Sequence, residues 1–234
     1  MESLAAITGV QVKAVSQPLQ TKPVGGPSGQ DSYLNAAILL NTILSPGDLH
    51  QHLIQIEMEL GRQRRQRWGA RKVDLDLLLF GMVEMESETL TIPHPRMTFR
   101  KFVLDPAKEI AREMIHPTSG LSIGELSDCL STRDNIVLFA AGLAELNYES
   151  AIQSSVAQGW RLSTVFEDVD DQDQGRQDFD KQSGKAKLVC YIANGAESSP
   201  FKSHARSFAG PTLSLPSDLE KCKLEVEAAI EAMS

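Results

Sequence analysis

Two aspartates one residue apart, Asp74 and Asp76, head an apolar run. They directly follow a segment carrying five arginines and a lysine: Arg62, Arg64, Arg65, Arg67, Arg71 and Lys72. Val73, Leu75, Leu77 and Leu79 alternate with the aspartates, the period of a strand with one aliphatic face. On such a strand both carboxylates point to one side, with Cα atoms roughly 6–7 Å apart. Carboxylates hold divalent cations and guanidiniums hold phosphates, so the two neighbours supply the parts of a phosphoryl-transfer site. A lone Asp-x-Asp pair is more commonly a capped or salt-bridged pair, and a basic run alone reads as a solvated loop. Their adjacency is what favours metal and phosphate binding.

The flanking elements must hold this strand in place. Gly81 marks a turn after it. Before it, Ser45-Pro46-Gly47-Asp48 has the composition of a helix start: a hydroxyl cap, proline at the first position and an acid in the first turn. Leu49, Leu53, Ile56 and Leu60 then fall on one face, and Gly61 ends the helix. Residues 3–8 read as helical turns stopped by Gly9. Val10, Val12, Ala14 and Ser16 alternate as a strand that Pro18 limits. Residues 21–32 are loop by their Pro, Gly and Ser content. Tyr33 to Leu44 is β-compatible, interrupted by Asn35 and Asn41. Thr89 to Ile92 reads as a short strand, Pro93 to Arg96 as a turn, and Thr98 to Leu104 as a short helix ending before Pro106. Leu121 to Leu130 is a further helix with Ser122 as cap.

Beyond about residue 135 the character changes. Ile136–Phe139, Leu188–Ala193 and Thr212–Leu215 are strand candidates; Leu143–Gln153 and Leu219–Met233 are helix candidates. Residues 167–180 contain seven acids and one arginine, which supply -6 of the net charge of -8. These acids lack the spacing of a calcium loop and read as a solvated linker around residues 167–185. Net acidity argues against a general nucleic-acid binder despite the local arginines. The three cysteines, Cys129, Cys190 and Cys222, have neither metal-ligand nor disulfide-framework spacing. They read as semi-buried thiols of a cytoplasmic protein. No apolar run approaches the ~20 residues of a membrane span, and the first residues do not read as a signal peptide.

Taken together, residues 10–126 resemble the 6-hydroxymethyl-7,8-dihydropterin pyrophosphokinases of folate biosynthesis. The resemblance is carried by Thr21-Lys22-Pro23-Val24-Gly25, Tyr33-Leu34-Asn35-Ala36, and Ile56-Glu57 with Gly61-Arg62. It is strongest in Arg67-Trp68-Gly69-Ala70-Arg71-Lys72-Val73-Asp74-Leu75-Asp76-Leu77, and continues in Pro93-His94-Pro95-Arg96-Met97 and Arg100-Lys101-Phe102-Val103-Leu104. Where that family usually has proline, this chain has Ala70.

The resemblance implies transfer of pyrophosphate from ATP to the pterin's hydroxymethyl group, with release of AMP. It implies two magnesium ions on Asp74 and Asp76, with Arg62 and Arg71 joining them as catalytic residues. Arg64, Trp68, Arg71, Leu77, His94 and Arg100 fall at ATP-binding positions. Thr21, Val24, Tyr33, Asn35 and Phe102 match the pterin pocket, where ring stacking and amide hydrogen bonds would read a flat heterocycle. From sequence alone, core packing is preferred for Tyr33 and Phe102, and it is the plain alternative for Trp68. Glu57 is expected to orient a loop residue. The implied partners are the two small-molecule substrates, with neither nucleic acid nor membrane.

The implied fold class is α+β, a ferredoxin-like βαβ sandwich over residues 1–134. Residues 135–234 form a small α/β or partly disordered extension. The family opens with a strand and a Gly-Ser-Asn turn before its long first helix. This chain starts at what would be the end of that helix, so the expected sheet lacks its first strand. Leu188–Ala193 filling that place is the less favoured reading. The alternative function is a degenerate, non-catalytic homologue that binds nucleotide or a partner protein.

Overall fold

The structure, a computed structural model, describes residues 2–22, 32–61, 73–132, 135–141, 161–167, 186–192, 210–215 and 218–233. It begins with one helical turn, α1 (Glu2–Ala5), and the chain reverses at Gly9, whose φ is +84°. A Cβ there would sit 2.9 Å from Ile43 Cγ1, so both the backbone angle and the close approach require glycine.

Strand β1 (Val10–Val15) then alternates half-buried and exposed residues, as its sequence implied. After Pro18 come the short β2 (Leu19–Thr21) and, beyond the loop, β3 (Tyr33–Asn35) and β4 (Ile38–Thr42). β1 pairs antiparallel with β4, from Val10 opposite Thr42 to Val15 opposite Ile38, with an irregularity between Val12 and Ala14. β2 pairs antiparallel with β3, which sets Thr21 opposite Tyr33 and Leu19 opposite Asn35.

Helix α2 (Pro46–Glu59) starts as expected: Ser45 Oγ accepts the Asp48 N–H at 3.2 Å. Leu49, Leu53 and Ile56 are buried. Leu60, expected on the same face, is exposed, because the helix has finished at Glu59 and Leu60 is its C-cap residue. β5 (Met85–Glu86) and β6 (Thr91–Ile92) form a small hairpin.

Two boundaries differ from expectation for a physical reason. Met97–Phe99 form one 3-10 turn, and α3 (Lys101–Ala111) runs straight through Pro106. Proline removes the bond to the Phe102 carbonyl, a loss of about 3 kcal/mol in an exposed helix. Here Leu104, Pro106 and Ala107 are all buried, and that packing offsets it. Helix α4 (Ile123–Thr132) has a reciprocal cap. Ser122 Oγ accepts from Glu125 N–H at 3.1 Å, and Glu125 Oε2 accepts from Ser122 N–H at 2.8 Å.

The C-terminal part contains β7 (Asn135–Ala141), β8 (Arg161–Glu167), β9 (Ala186–Ile192), β10 (Thr212–Leu215) and α5 (Leu219–Met233). The strands form one parallel sheet in the order β10-β9-β7-β8. β8 was missed in the sequence reading because it runs directly into the acidic segment. The candidate helix 143–153 and most of the acidic linker lie outside the described residues. β9 pairs with β7 and β10 and does not join β1 or β4.

One buried cluster unites the two ends of the chain. Met97, Phe99, Leu104, Leu126 and Leu130 pack in the same core as Ile136, Leu188, Leu213, Leu215, Val226 and Ile230. Cys190 and Cys222 lie in it too. Both are fully buried rather than semi-buried, and burial raises both thiols, Cys222 to about 11. A smaller cluster joins Leu4, Leu53 and Ile56 with Val12, Ile38, Leu75 and Leu77.

The chain is thus a mixed helix and strand protein. Among the described residues the N-terminal sheets are two-stranded pairs rather than one continuous sheet. The Val73–Leu79 stretch, expected from periodicity to be a strand, forms no ladder among the described residues, where β1 and β4 pair with each other. No described helix is long and apolar enough to cross a membrane.

Candidate active site

The segment from Val73 to Leu79 keeps the predicted sidedness without a ladder. Asp74 and Asp76 are exposed, while Val73, Leu75 and Leu77 are half-buried. Leu75 and Leu77 anchor it on the α2 cluster, and Leu78 and Leu79 pack on the larger core. Leu77 therefore turns its side chain into the protein.

Hydrogen bonds to Glu57 and from His94 help to hold the segment. Glu57, 2% exposed on α2, accepts the Leu75 N–H at 2.8 Å, between the two aspartates. The Leu78 carbonyl accepts the His94 N–H at 2.9 Å. The first places Glu57 on the aspartate segment itself. The second fixes the Pro93–Arg96 turn beside it.

His94 Nε2 then lies 3.8 Å from Asp76 Oδ2; the His94 side chain is 22% exposed and that of Asp76 48%. His94 Nδ1 accepts the Arg96 N–H at 3.2 Å, so the neutral ring carries its proton on Nε2, toward the aspartate. Burial lowers the His94 pKa first of all. Asp76 opposes that, and Arg100 and Arg96 add to it. Arg100 is likewise lowered by burial and by Arg96, against the opposing pull of Asp76, Glu225 and Asp74. Two acids, a neutral imidazole and two guanidiniums thus share one field, suited to a polyanion carrying divalent metal.

Arg100 also leads to the other predicted cluster. Its guanidinium lies over the Phe102 ring, 5.6 Å from the centroid. Phe102 sits in the first turn of α3, which packs against β2 and β3. On that hairpin Asn35 Nδ2 donates to Thr21 Oγ1 at 2.8 Å and to the Leu19 carbonyl at 3.4 Å. Those bonds occupy the Asn35 amide nitrogen. Tyr33 is partly exposed opposite Thr21.

Asp74, Asp76, His94 and Arg100 are brought together, and Thr21, Tyr33, Asn35 and Phe102 lie along the adjoining hairpin and helix. Arg62, Arg64, Trp68, Arg71 and Val24 lie outside the described residues. Arg96 was passed over as a turn residue. Its only sequence signal was its place two residues after His94 in a proline-bounded turn.

Comparison with known proteins gives the same answer. The profile of the 7,8-dihydro-6-hydroxymethylpterin-pyrophosphokinase (HPPK) family matches residues 1–112. The chain is 42% identical over 123 residues to the 2-amino-4-hydroxy-6-hydroxymethyldihydropteridine pyrophosphokinase of Synechocystis, covering 53% of this chain and 62% of that one. It is 47% identical over 105 residues to the Bacillus subtilis protein of that name, covering 45% and 62%. It is 40% identical over 119 residues to the Haemophilus influenzae protein, covering 51% and 74%. The chain thus spans a little under two thirds of the first two relatives. At 40% identity over 74% of the Haemophilus influenzae protein, the chain belongs to the HPPK family.

Proposed function

We propose that this chain transfers pyrophosphate from ATP to 6-hydroxymethyl-7,8-dihydropterin in folate synthesis, giving AMP and the pterin diphosphate. The observation that carries the reading is the approach of His94 Nε2 to Asp76 Oδ2, with Arg100 in the same field. The curated relatives bear the name of that enzyme.

Asp74 and Asp76 are the residues that would hold magnesium, two ions in our reading. Their carboxylates are exposed on one side of an anchored segment, a donor set that suits an ion completing its shell with substrate phosphates and water. When bound, such ions neutralise charge on the transferring group. His94 offers its Nε2–H to a phosphate oxygen, and Arg100 supplies a fixed positive charge. Arg62, Arg64 and Arg71 add further phosphate contacts, Trp68 covers the nucleotide, and Leu77 contributes its backbone. Phe102 and Tyr33 flank the pterin ring, while Asn35, Thr21 and Val24 read its edge. Because phosphoryl transfer is mostly positioning, the anchoring of Leu75 and His94 is part of the catalysis.

The same reading takes residues 1–134 as the pterin pyrophosphokinase part, with the ferredoxin-like arrangement, and residues 135–234 as an extension containing an acidic linker. It places the protein in the cytoplasm, acting on small molecules without nucleic acid or membrane.

The alternative reading is a homologue that binds nucleotide without turnover. The deciding assay measures AMP formed from ATP-magnesium and hydroxymethyl-dihydropterin alongside ATP binding. Pterin-dependent AMP supports the enzyme, binding without AMP supports the second reading, and absence of both overturns the two together.

A further inference from the structure

Glu225 brings the C-terminal extension to the candidate active site. Glu225, on the half-buried side of α5, accepts from Arg96 Nη2 at 2.9 Å, with both side chains about one third exposed. Residues of that helix, Val226 and Ile230, share a buried core with Met97 and Phe99 of the 3-10 turn that follows Arg96. The contact is therefore backed by packing on the same element.

Arg96 is tied in the other direction to His94. Its backbone N–H donates to His94 Nδ1 at 3.2 Å, which sets the ring so that Nε2 faces Asp76. A continuous path thus runs from the Glu225 carboxylate through the Arg96 side chain and backbone to the His94 ring. The same carboxylate offsets the charge of Arg96, which otherwise repels the neighbouring Arg100.

We propose that Glu225 is a positioning residue for His94 and Arg100, so that the last helix of the extension completes the phosphate-binding face of the N-terminal part. The proposal rests on the functional reading above for its consequence, though not for its geometry. Glu225 reaches His94 through Arg96, and its charge also acts on Arg100 directly.

The test uses the full chain with Glu225→Ala, Glu225→Gln and the charge swap Arg96→Glu with Glu225→Arg. The first readout is the ring nitrogen spectrum of His94 without ligand, assigned among the five histidines by His94→Asn. The parent should show one tautomer with the proton on Nε2. Glu225→Ala should show averaging between tautomers, Glu225→Gln less, and the swap should restore the single form. The second readout is ATP-magnesium binding, expected to weaken about fivefold in Glu225→Ala and less in Glu225→Gln; the swap is read by the His94 spectrum alone, because it reverses the charge at position 96 in the phosphate field. An unchanged His94 spectrum in Glu225→Ala overturns the proposal, whatever the affinity does. If the parent fails to bind ATP-magnesium, the functional reading falls, and the His94 spectrum still decides the role of Glu225. If Glu225→Ala does not fold, the swap carries the test: a folded swap with an averaged His94 spectrum is equally fatal.

Discussion

The buried carboxylate of Glu57 accepts the backbone N–H of Leu75 at 2.8 Å, and Leu75 stands between the two aspartates that face solvent. A side chain on α2 thus does for this segment what a neighbouring strand does for a ladder. Removing it should leave a partly buried amide without that acceptor, at a cost of about 1–3 kcal/mol. Glu57→Ala is expected to lower stability by roughly that amount in urea unfolding. Glu57→Gln, which keeps an acceptor oxygen, should lose less. Equal losses in the two variants would assign the effect to charge rather than to the hydrogen bond.

Asp74→Asn and Asp76→Asn remove one negative oxygen each from an exposed face and leave the aliphatic anchors Leu75 and Leu77 untouched. Both variants should keep the parent's unfolding midpoint. Magnesium-dependent AMP formation should fall about 100-fold or more, the scale of losing one preorganised electrostatic contact in a transition state. Turnover at the parent rate in either variant removes that residue from the mechanism.

The sidedness of the aspartate segment was legible because its signal is local. Period-two alternation set Asp74 and Asp76 outward and Leu75 and Leu77 inward, and the structure keeps that sidedness even without a ladder. The caps at Ser45 and Ser122 were equally local and were read correctly. What escaped was non-local. Pro106 was taken as a stop because sequence cannot register the burial that lets α3 continue through it. Glu225 lies 129 residues from Arg96, and no pattern in either segment announces that they meet. The buried core shared by residues before and after position 134 was invisible for the same reason.

Acid should weaken this fold through its histidines. Burial lowers the pKa of His94, with Arg100 and Arg96 adding to it, and burial also lowers that of His116, each against an acid that raises it. A lowered folded-state pKa means that the unfolded chain binds more protons as pH falls below about 6.5, so stability drops from there down to the folded pKa and is unaffected well above it. Thermal unfolding should therefore show a lower midpoint at about pH 5.5 than at about pH 7.5. His116 Nδ1 accepts the Ser119 N–H at 3.2 Å, and an asparagine carbonyl can take that place. His116→Asn should keep the turn and flatten the pH dependence. A variant as acid-sensitive as the parent would show that His116 does not contribute.

The shared core makes a prediction about cutting the chain. From sequence alone, a break near residue 135 should release an N-terminal domain with unchanged ATP affinity. The structure places Met97, Leu104, Leu126 and Leu130, all fully or nearly fully buried, in one cluster with Leu188, Leu215, Val226 and Ile230. Uncovering a large apolar side chain costs about 1.5–3 kcal/mol, so exposing three of them approaches the whole stability of an ordinary domain. A fragment ending at Thr132 should therefore unfold at lower temperature than the full chain, bind a hydrophobic dye, and bind ATP-magnesium more weakly. Ile230→Ala in the full chain tests the packing directly, because Ile230 is a member of the shared core. It should cost about 2–4 kcal/mol in urea unfolding. If the fragment matches the full chain in unfolding midpoint and in ATP-magnesium affinity, the common core carries no coupling, and the two parts fold independently.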